Sequence, residues 1–169
     1  MNSNIAASYR RGQAVFKGSL VALATPFDSN NRVDYASLKG LIEFHVREGT
    51  NGLVIAGTTG EAATLNREEH TELVARAVEY AAGRLPVIAG TGSNSTRQTI
   101  NMSLAVAEAG VDAFLIVVPY YNKPMQEGMF QHFSAIADAV PKPVMMYNVP
   151  GRTVADMKAE TVARLAQHE

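Results

Sequence analysis

Short, unbroken apolar runs rich in branched residues recur along the chain about every 30 residues, the usual length of a strand-helix unit. They occupy residues 20–23, 52–56, 86–89, 113–118 and 143–147, and none alternates polar with apolar positions. Each is therefore expected to be a parallel strand covered on both faces. Between them, apolar residues return at three- and four-residue intervals: Leu38, Leu41, Ile42 and Val46; Leu73, Val74, Ala77, Val78 and Ala81; Met129, Phe130, Phe133, Ile136 and Val140. That spacing predicts helices with one buried stripe.

Punctuation supports the boundaries. Asn66 followed by Glu69 has capping-box spacing, and Asp156 with Glu160 is expected to place carboxylates at the positive end of a last helix. Gly49, Gly83 and Gly110 stand where three helices must turn back toward a strand, which suits a left-handed residue. Five βα units result. A doubly wound open sheet would be complete with five strands, whereas a (β/α)₈ barrel needs three more, so pattern alone leaves both open and leans toward the open sheet.

Composition narrows the function classes. The chain has 169 residues, 47% hydrophobic and 18% charged, enough for one sizeable core. Its 15 basic and 16 acidic residues are interspersed and give a net charge of −1, so no basic face is available for nucleic acid or an anionic membrane. With no cysteine there is no disulfide, thiolate nucleophile or sulfur-bound zinc, a composition that suits a cytoplasmic location. Residues 1–14 are polar and read as a disordered leader, with an organellar transit peptide as the less favoured alternative, and residues 15–169 as the folded domain.

In either architecture chemistry gathers in the loops after the strands. The Gly57–Glu61 segment, with Thr58 and Thr59, has the shape of a carboxylate or phosphate cradle, or simply of a tight turn. It has no lysine after its second glycine, and Gly90-Thr91-Gly92 lacks the third glycine of a dinucleotide fingerprint, so nucleotide binding is disfavoured. Tyr121 and Tyr147 can relay protons or merely line a mouth. Arg152 can fork a carboxylate or sit as a solvated charge. His45, His70, His132 and His168 read as ordinary helix-face residues without metal-ligand spacing, and the methionines as core filling.

Three segments in order, Gly-Thr-Thr-Gly-Glu at 57–61, Pro-Tyr-Tyr-Asn-Lys-Pro at 119–124 and Tyr-Asn-Val-Pro-Gly-Arg-Thr at 147–153, resemble the dihydrodipicolinate synthase family of pyruvate-dependent aldolases. The resemblance runs from about Phe16 to the end, and it selects the (β/α)₈ TIM barrel, of which about the first five βα units are present. It implies a lyase of lysine (diaminopimelate) biosynthesis without cofactor or metal, in which a lysine forms a Schiff base with pyruvate and the enamine attacks L-aspartate 4-semialdehyde. By motif match Thr59 would receive the pyruvate carboxylate, and Thr58, Tyr121 and Tyr147 would form a hydroxyl relay. Arg152 would hold the semialdehyde carboxylate, with Asn122 and Gly151 on the same rim. Tyr121 would cross to a partner subunit in a homo-oligomer, a dimer of dimers in this family.

The family's lysine would lie a few residues beyond Glu169. Of Lys17, Lys39, Lys123, Lys142 and Lys158, only Lys123 occupies a strand-end loop, where little burial is expected to lower its pKa. A non-catalytic pyruvate-binding or oligomer-modulating fragment is thus one alternative. The related N-acetylneuraminate lyases are another, disfavoured because they usually carry serine at the Thr58 position and no match for Arg152. A regulatory lysine pocket would lie near Ala62, Ala63, Arg67, His70, Asn94, Gln98 and Tyr120. Arg67 and Gln98 replace the histidine and glutamate of strongly inhibited members, so weak feedback is expected. Unpaired strand edges would also make the chain prone to aggregate or rearrange by itself.

Overall fold

The computed structural model describes residues 16–168, so the leader expected at residues 1–14 lies outside the described residues. Five strands and six helices follow one another as β1 (Leu20–Ala22), α1 (Tyr35–Arg47), β2 (Gly52–Ile55), α2 (Arg67–Ala81), β3 (Val87–Gly90), α3 (Thr96–Ala107), β4 (Ala113–Val117), α4 (Gln126–Ala139), β5 (Val144–Tyr147), α5 (Pro150–Thr153) and α6 (Ala159–Leu165). All strands are parallel, and their spatial order β1-β2-β3-β4-β5 is their order in the sequence. A doubly wound sheet reverses its strand order partway. This sheet does not, and it forms the first five units of a (β/α)₈ barrel.

Side-chain alternation along the strands sorts the interior into two layers. Leu53, Ile55, Val87, Ala89, Phe114 and Ile116 face outward and join Leu38, Ile42, Leu73, Val74, Met129 and Phe133 from the helices in the main core. Val54, Ile88 and Ala113 face the other way, into a smaller cluster with half-buried Phe16, Leu20, Leu115 and Met145. The expectation that every strand is covered on both faces therefore holds for β2 and β3, which are buried throughout, but not for β1 and β5. Among the described residues, those two strands have a neighbour on one side only.

Local signals explain the helix ends. Asn66 accepts from the Glu69 backbone N–H at 2.9 Å, and the Glu69 carboxylate accepts from the Asn66 N–H at 2.9 Å, completing the capping box at α2. Asp34 and Ser95 cap α1 and α3 with one bond each, accepting from the Ser37 and Gln98 backbone N–H groups. Gly49, Gly83 and Gly110 have φ of 75°, 71° and 94°, the left-handed backbone expected after α1, α2 and α3. The last helix meets expectation in part: Glu160 lies in the first turn of α6, but Lys158 is its N-cap and Asp156 instead accepts a bond from Asn148. Arg164 fastens α6 onto α4, its guanidinium 4.0 Å from the Phe130 ring centre and 2.9 Å from Glu127.

Three of the four histidines lie within helices, but His168 lies just past α6, where it meets Asp138 at 2.9 Å. His70 and His132 are buried rather than on a solvated face, each with Nε2 lacking a partner among the described residues. Met129 and Met157 fill the core, whereas Met125 is 82% exposed, so core filling does not extend to every methionine.

Candidate active site

The carboxyl ends of β2 to β5 surround a cavity of about 640 Å³, within the usual size range of small-molecule pockets. Gly57, Thr58 and Glu61 enter it from the loop after β2, Thr91, Gly92 and Ser93 from the loop after β3, Val117 from β4, Tyr147 from the last position of β5, and Arg152 from α5. Two glycines make this convergence possible. A Cβ on Gly90 would lie 2.2 Å from the Ala56 carbonyl oxygen, and one on Gly92 would lie 2.3 Å from the Val117 nitrogen. Only hydrogen at those positions lets adjacent strand ends come this close.

The loop after β2 is built as a small cradle. Ala56 and Glu61 have φ of 52° and 56°, the Glu61 N–H donates to the Thr58 carbonyl at 3.1 Å, and buried Thr25 donates its hydroxyl to the Gly60 carbonyl at 2.7 Å. Thr58 and Thr59 are exposed, and neither hydroxyl bonds a protein group among the described residues. Both are thus available to a ligand. On the floor, Thr91 shares a 2.7 Å hydrogen bond with buried Ser103, which fixes its hydroxyl, and the Thr91 N–H donates to the Leu115 carbonyl at 3.1 Å.

Of the expected site residues, Thr58, Tyr147 and Arg152 line this one cavity. Thr59, Tyr121, Asn122 and Gly151 do not contribute to its wall. Asn122 ties neighbouring loops together by donating to the Asn94 carbonyl at 3.2 Å. Tyr121 is 90% exposed and has φ of 68°, a costly backbone for a bulky residue. Lys123, with φ of 44°, is exposed and outside the cavity, which leaves it without the apolar burial that an imine-forming amine requires.

Ala62, Ala63, Arg67, His70, Gln98 and Tyr120 line the same continuous space, while Asn94 does not. Charge in it is dominated by the guanidiniums of Arg67 and Arg152 against one carboxylate, Glu61. Burial lowers the pKa of His70, partly offset by a hydrogen bond to the Gly90 backbone, so its ring adds no charge near neutrality. The cavity is thus suited to an anion carrying hydrogen-bonding oxygens. Among the described residues no cluster of histidine and carboxylate groups could hold a metal ion, and no helix is long and apolar enough to cross a membrane.

Sequence reasoning missed how the Arg152 segment is held. It expected an open loop at 148–153, but residues Pro150–Thr153 form a helical turn, α5, and Val154 after it has φ of 58°. Asn148 donates to the Asp156 carboxylate at 2.8 Å and accepts from the Met157 N–H at 3.1 Å. Gln126 of α4 donates to the Asp156 carbonyl at 2.8 Å and accepts from the Lys158 N–H at 3.0 Å and the Thr161 hydroxyl at 2.6 Å. Asparagine after a strand is a turn signal that could have been read; nothing in the sequence links Gln126 to a segment 30 residues away.

Known proteins resemble this chain in sequence and fold. The 4-hydroxy-tetrahydrodipicolinate synthase of Nitrosospira multiformis is 60% identical over 151 residues, which cover 89% of this chain and 50% of that protein. The synthase of Pseudomonas aeruginosa is 57% identical, covering 89% and 51%. Among solved structures, dihydrodipicolinate synthase from Aquifex aeolicus superposes with a TM-score of 0.87 at 48% identity, covering 89% of this chain and 51% of that one. The chloride-inhibited enzyme from Acinetobacter baumannii, complexed with pyruvate, gives 0.89 at 50% identity, covering 90% and 53%. The chain spans about half the length of the relatives it matches. Residues 15–169 match the Dihydrodipicolinate synthetase family, and with the identities and the shared half-barrel this places the chain in that family.

Proposed function

We propose that this chain supplies the substrate-gripping and proton-relay part of a site that condenses pyruvate with L-aspartate 4-semialdehyde to 4-hydroxy-tetrahydrodipicolinate. The single observation behind this reading is that Thr58, delivered by the end of β2, and Tyr147 and Arg152, delivered by the end of β5, line one cavity in a chain 60% identical to a synthase of that name. Pyruvate condenses with a lysine amine from the remainder of the barrel and loses water to give an imine. Loss of a methyl proton yields the enamine, whose carbon attacks the aldehyde. The aspartyl amine then displaces the lysine as the ring closes, so no oxidant or cofactor is consumed.

Each step moves protons between groups of similar basicity in a partly closed space, a task for hydroxyls in a hydrogen-bonded chain rather than a charged base. Thr58 and Tyr147 stand at the cavity wall for this, and Thr59 beside Thr58 offers its free hydroxyl to the pyruvate carboxylate. Tyr121 completes the relay from a neighbouring subunit: a phenol that is 90% exposed on strained backbone has little to do within its own chain. The working enzyme is therefore a homo-oligomer. Arg152 forks the semialdehyde carboxylate at the entrance, flanked by Gly151 and Asn122.

Feedback by lysine is weak in this reading. An ammonium ligand entering beside Arg67 meets a like charge, and Gln98 provides no carboxylate to offset it. The test is direct. Purified enzyme given both substrates forms product, Thr58→Val lowers kcat on the order of a hundredfold, as loss of one proton-relay group does, and millimolar L-lysine changes the rate less than about twofold. No product from the unaltered enzyme, or full activity of the variant, refutes the reading.

A further inference from the structure

Arg152 sits on a single helical turn, Pro150–Thr153, too short to hold its own shape. The turn ends at Val154, a β-branched residue with φ of 58°, a conformation that persists only where its surroundings impose it. Two side chains impose it from behind. Asn148 closes the base of the loop by donating to the Asp156 carboxylate at 2.8 Å and to the Met157 carbonyl at 3.3 Å while accepting from the Met157 N–H at 3.1 Å. Gln126 reaches across from α4 to bind the Asp156 carbonyl, the Lys158 N–H and the Thr161 hydroxyl. Inside the loop, buried Thr153 shares its hydroxyl proton between the Val149 and Ala155 carbonyls, at 3.1 and 2.8 Å.

Neither Asn148 nor Gln126 lines the cavity, whereas Val149, Arg152 and Thr153 do. Whatever these two amides contribute to chemistry, they contribute through the turn they hold. We propose that Asn148, backed by Gln126, is a positioning residue that sets the Arg152 guanidinium at the cavity mouth and thereby governs selection of the carboxylate-bearing acceptor substrate. The proposal rests on the functional reading above for the identity of that substrate. Asparagine suits the task because one amide must both donate to a carboxylate and accept from a backbone N–H. An aspartate there keeps size and acceptor but sets two carboxylates in contact.

That asymmetry supplies a test with a built-in rescue. N148D breaks the clamp, and N148D/D156N restores it with donor and acceptor exchanged. The purified enzyme is assayed with each substrate varied in turn, and amide hydrogen exchange is followed at Arg152, Thr153 and Val154, whose N–H groups donate to Val149 and Pro150 carbonyls. In N148D the KM for the semialdehyde rises about tenfold while the KM for pyruvate and kcat stay within about twofold, and the three amides exchange faster with α1 to α3 unchanged. The double variant returns both readouts toward the original. Unchanged exchange, faster exchange with the semialdehyde KM unmoved, or a uniform loss of kcat that follows a lowered Tm each overturns the proposal. An unaltered enzyme that does not condense the two substrates refutes the functional reading instead, and the exchange arm then decides whether Asn148 orders the turn.

Discussion

At the scale of single side chains, the roles proposed for the cavity separate by what each group can donate. Tyr147 closes β5 beside Val117 and presents a phenol to the cavity. Tyr147→Phe removes one hydroxyl without changing shape, and steady-state kinetics is expected to give a kcat lower by about a hundredfold with KM values nearly unchanged. His132 makes a different prediction. Buried against Phe133 and bonded through Nδ1 to the Thr96 hydroxyl at 2.9 Å, it is pushed down to about 4 by burial, so it stays neutral in the fold. Unfolded, it binds a proton below its ordinary value of about 6.5, and the folded state cannot follow until about pH 4. Stability is therefore full above pH 6.5 and falls across the interval down to 4, by about 2 kcal/mol once partial solvation is allowed for. Chemical denaturation of the enzyme and of His132→Gln at pH 7.5 and 5 checks this: the substitution is expected to flatten the pH dependence. The positions of Thr58, Tyr147 and Arg152 at or just past strand ends could be read from the sequence, but only the resemblance of their segments to one family suggested what they would do. The burial of His70 and His132 could not be read, because a helix face is assigned only by what packs on it.

Elements held together by local signals were the most legible. The capping box at Asn66 and Glu69, the left-handed glycines and the five strand positions are all short-range consequences of residue type. Asn66→Ala is expected to cost about 1 kcal/mol of stability, read as a lowered denaturant midpoint with unchanged slope. Gly90→Ala is a more severe change. A methyl group there meets the Ala56 carbonyl at 2.2 Å, where backbone must shift. The expected result is a loss of several kcal/mol or failure to accumulate as folded protein, visible in thermal melts. What was not legible at this scale was how α5 and α6 are joined, since that depends on Gln126, which reaches the segment from α4, 30 residues before Asp156. Side-chain amides that cap another element leave no local trace.

For the whole molecule, the period of the hydrophobic runs revealed parallel βα units but could not choose between an open and a closing sheet. The choice is made by strand order and by helices gathering on one face, which are long-range facts. Among the described residues, the same geometry leaves β1 and β5 each with one unpaired edge and Leu20, Leu115 and Met145 only half covered. The 169-residue chain purified by itself is therefore expected to aggregate or to assemble through those edges, and light scattering showing a monodisperse monomer with a cooperative melt would argue otherwise. In the proposed function the cavity orients pyruvate for an imine formed with a lysine that Lys123 cannot replace. Borohydride reduction of the active enzyme with pyruvate, followed by peptide mass mapping, tests it most directly. A stable adduct is expected on a lysine outside residues 1–169, formed more slowly in Thr58→Val. An adduct on Lys123 or any other lysine of this chain, or none at all in an enzyme that still turns over, would contradict it.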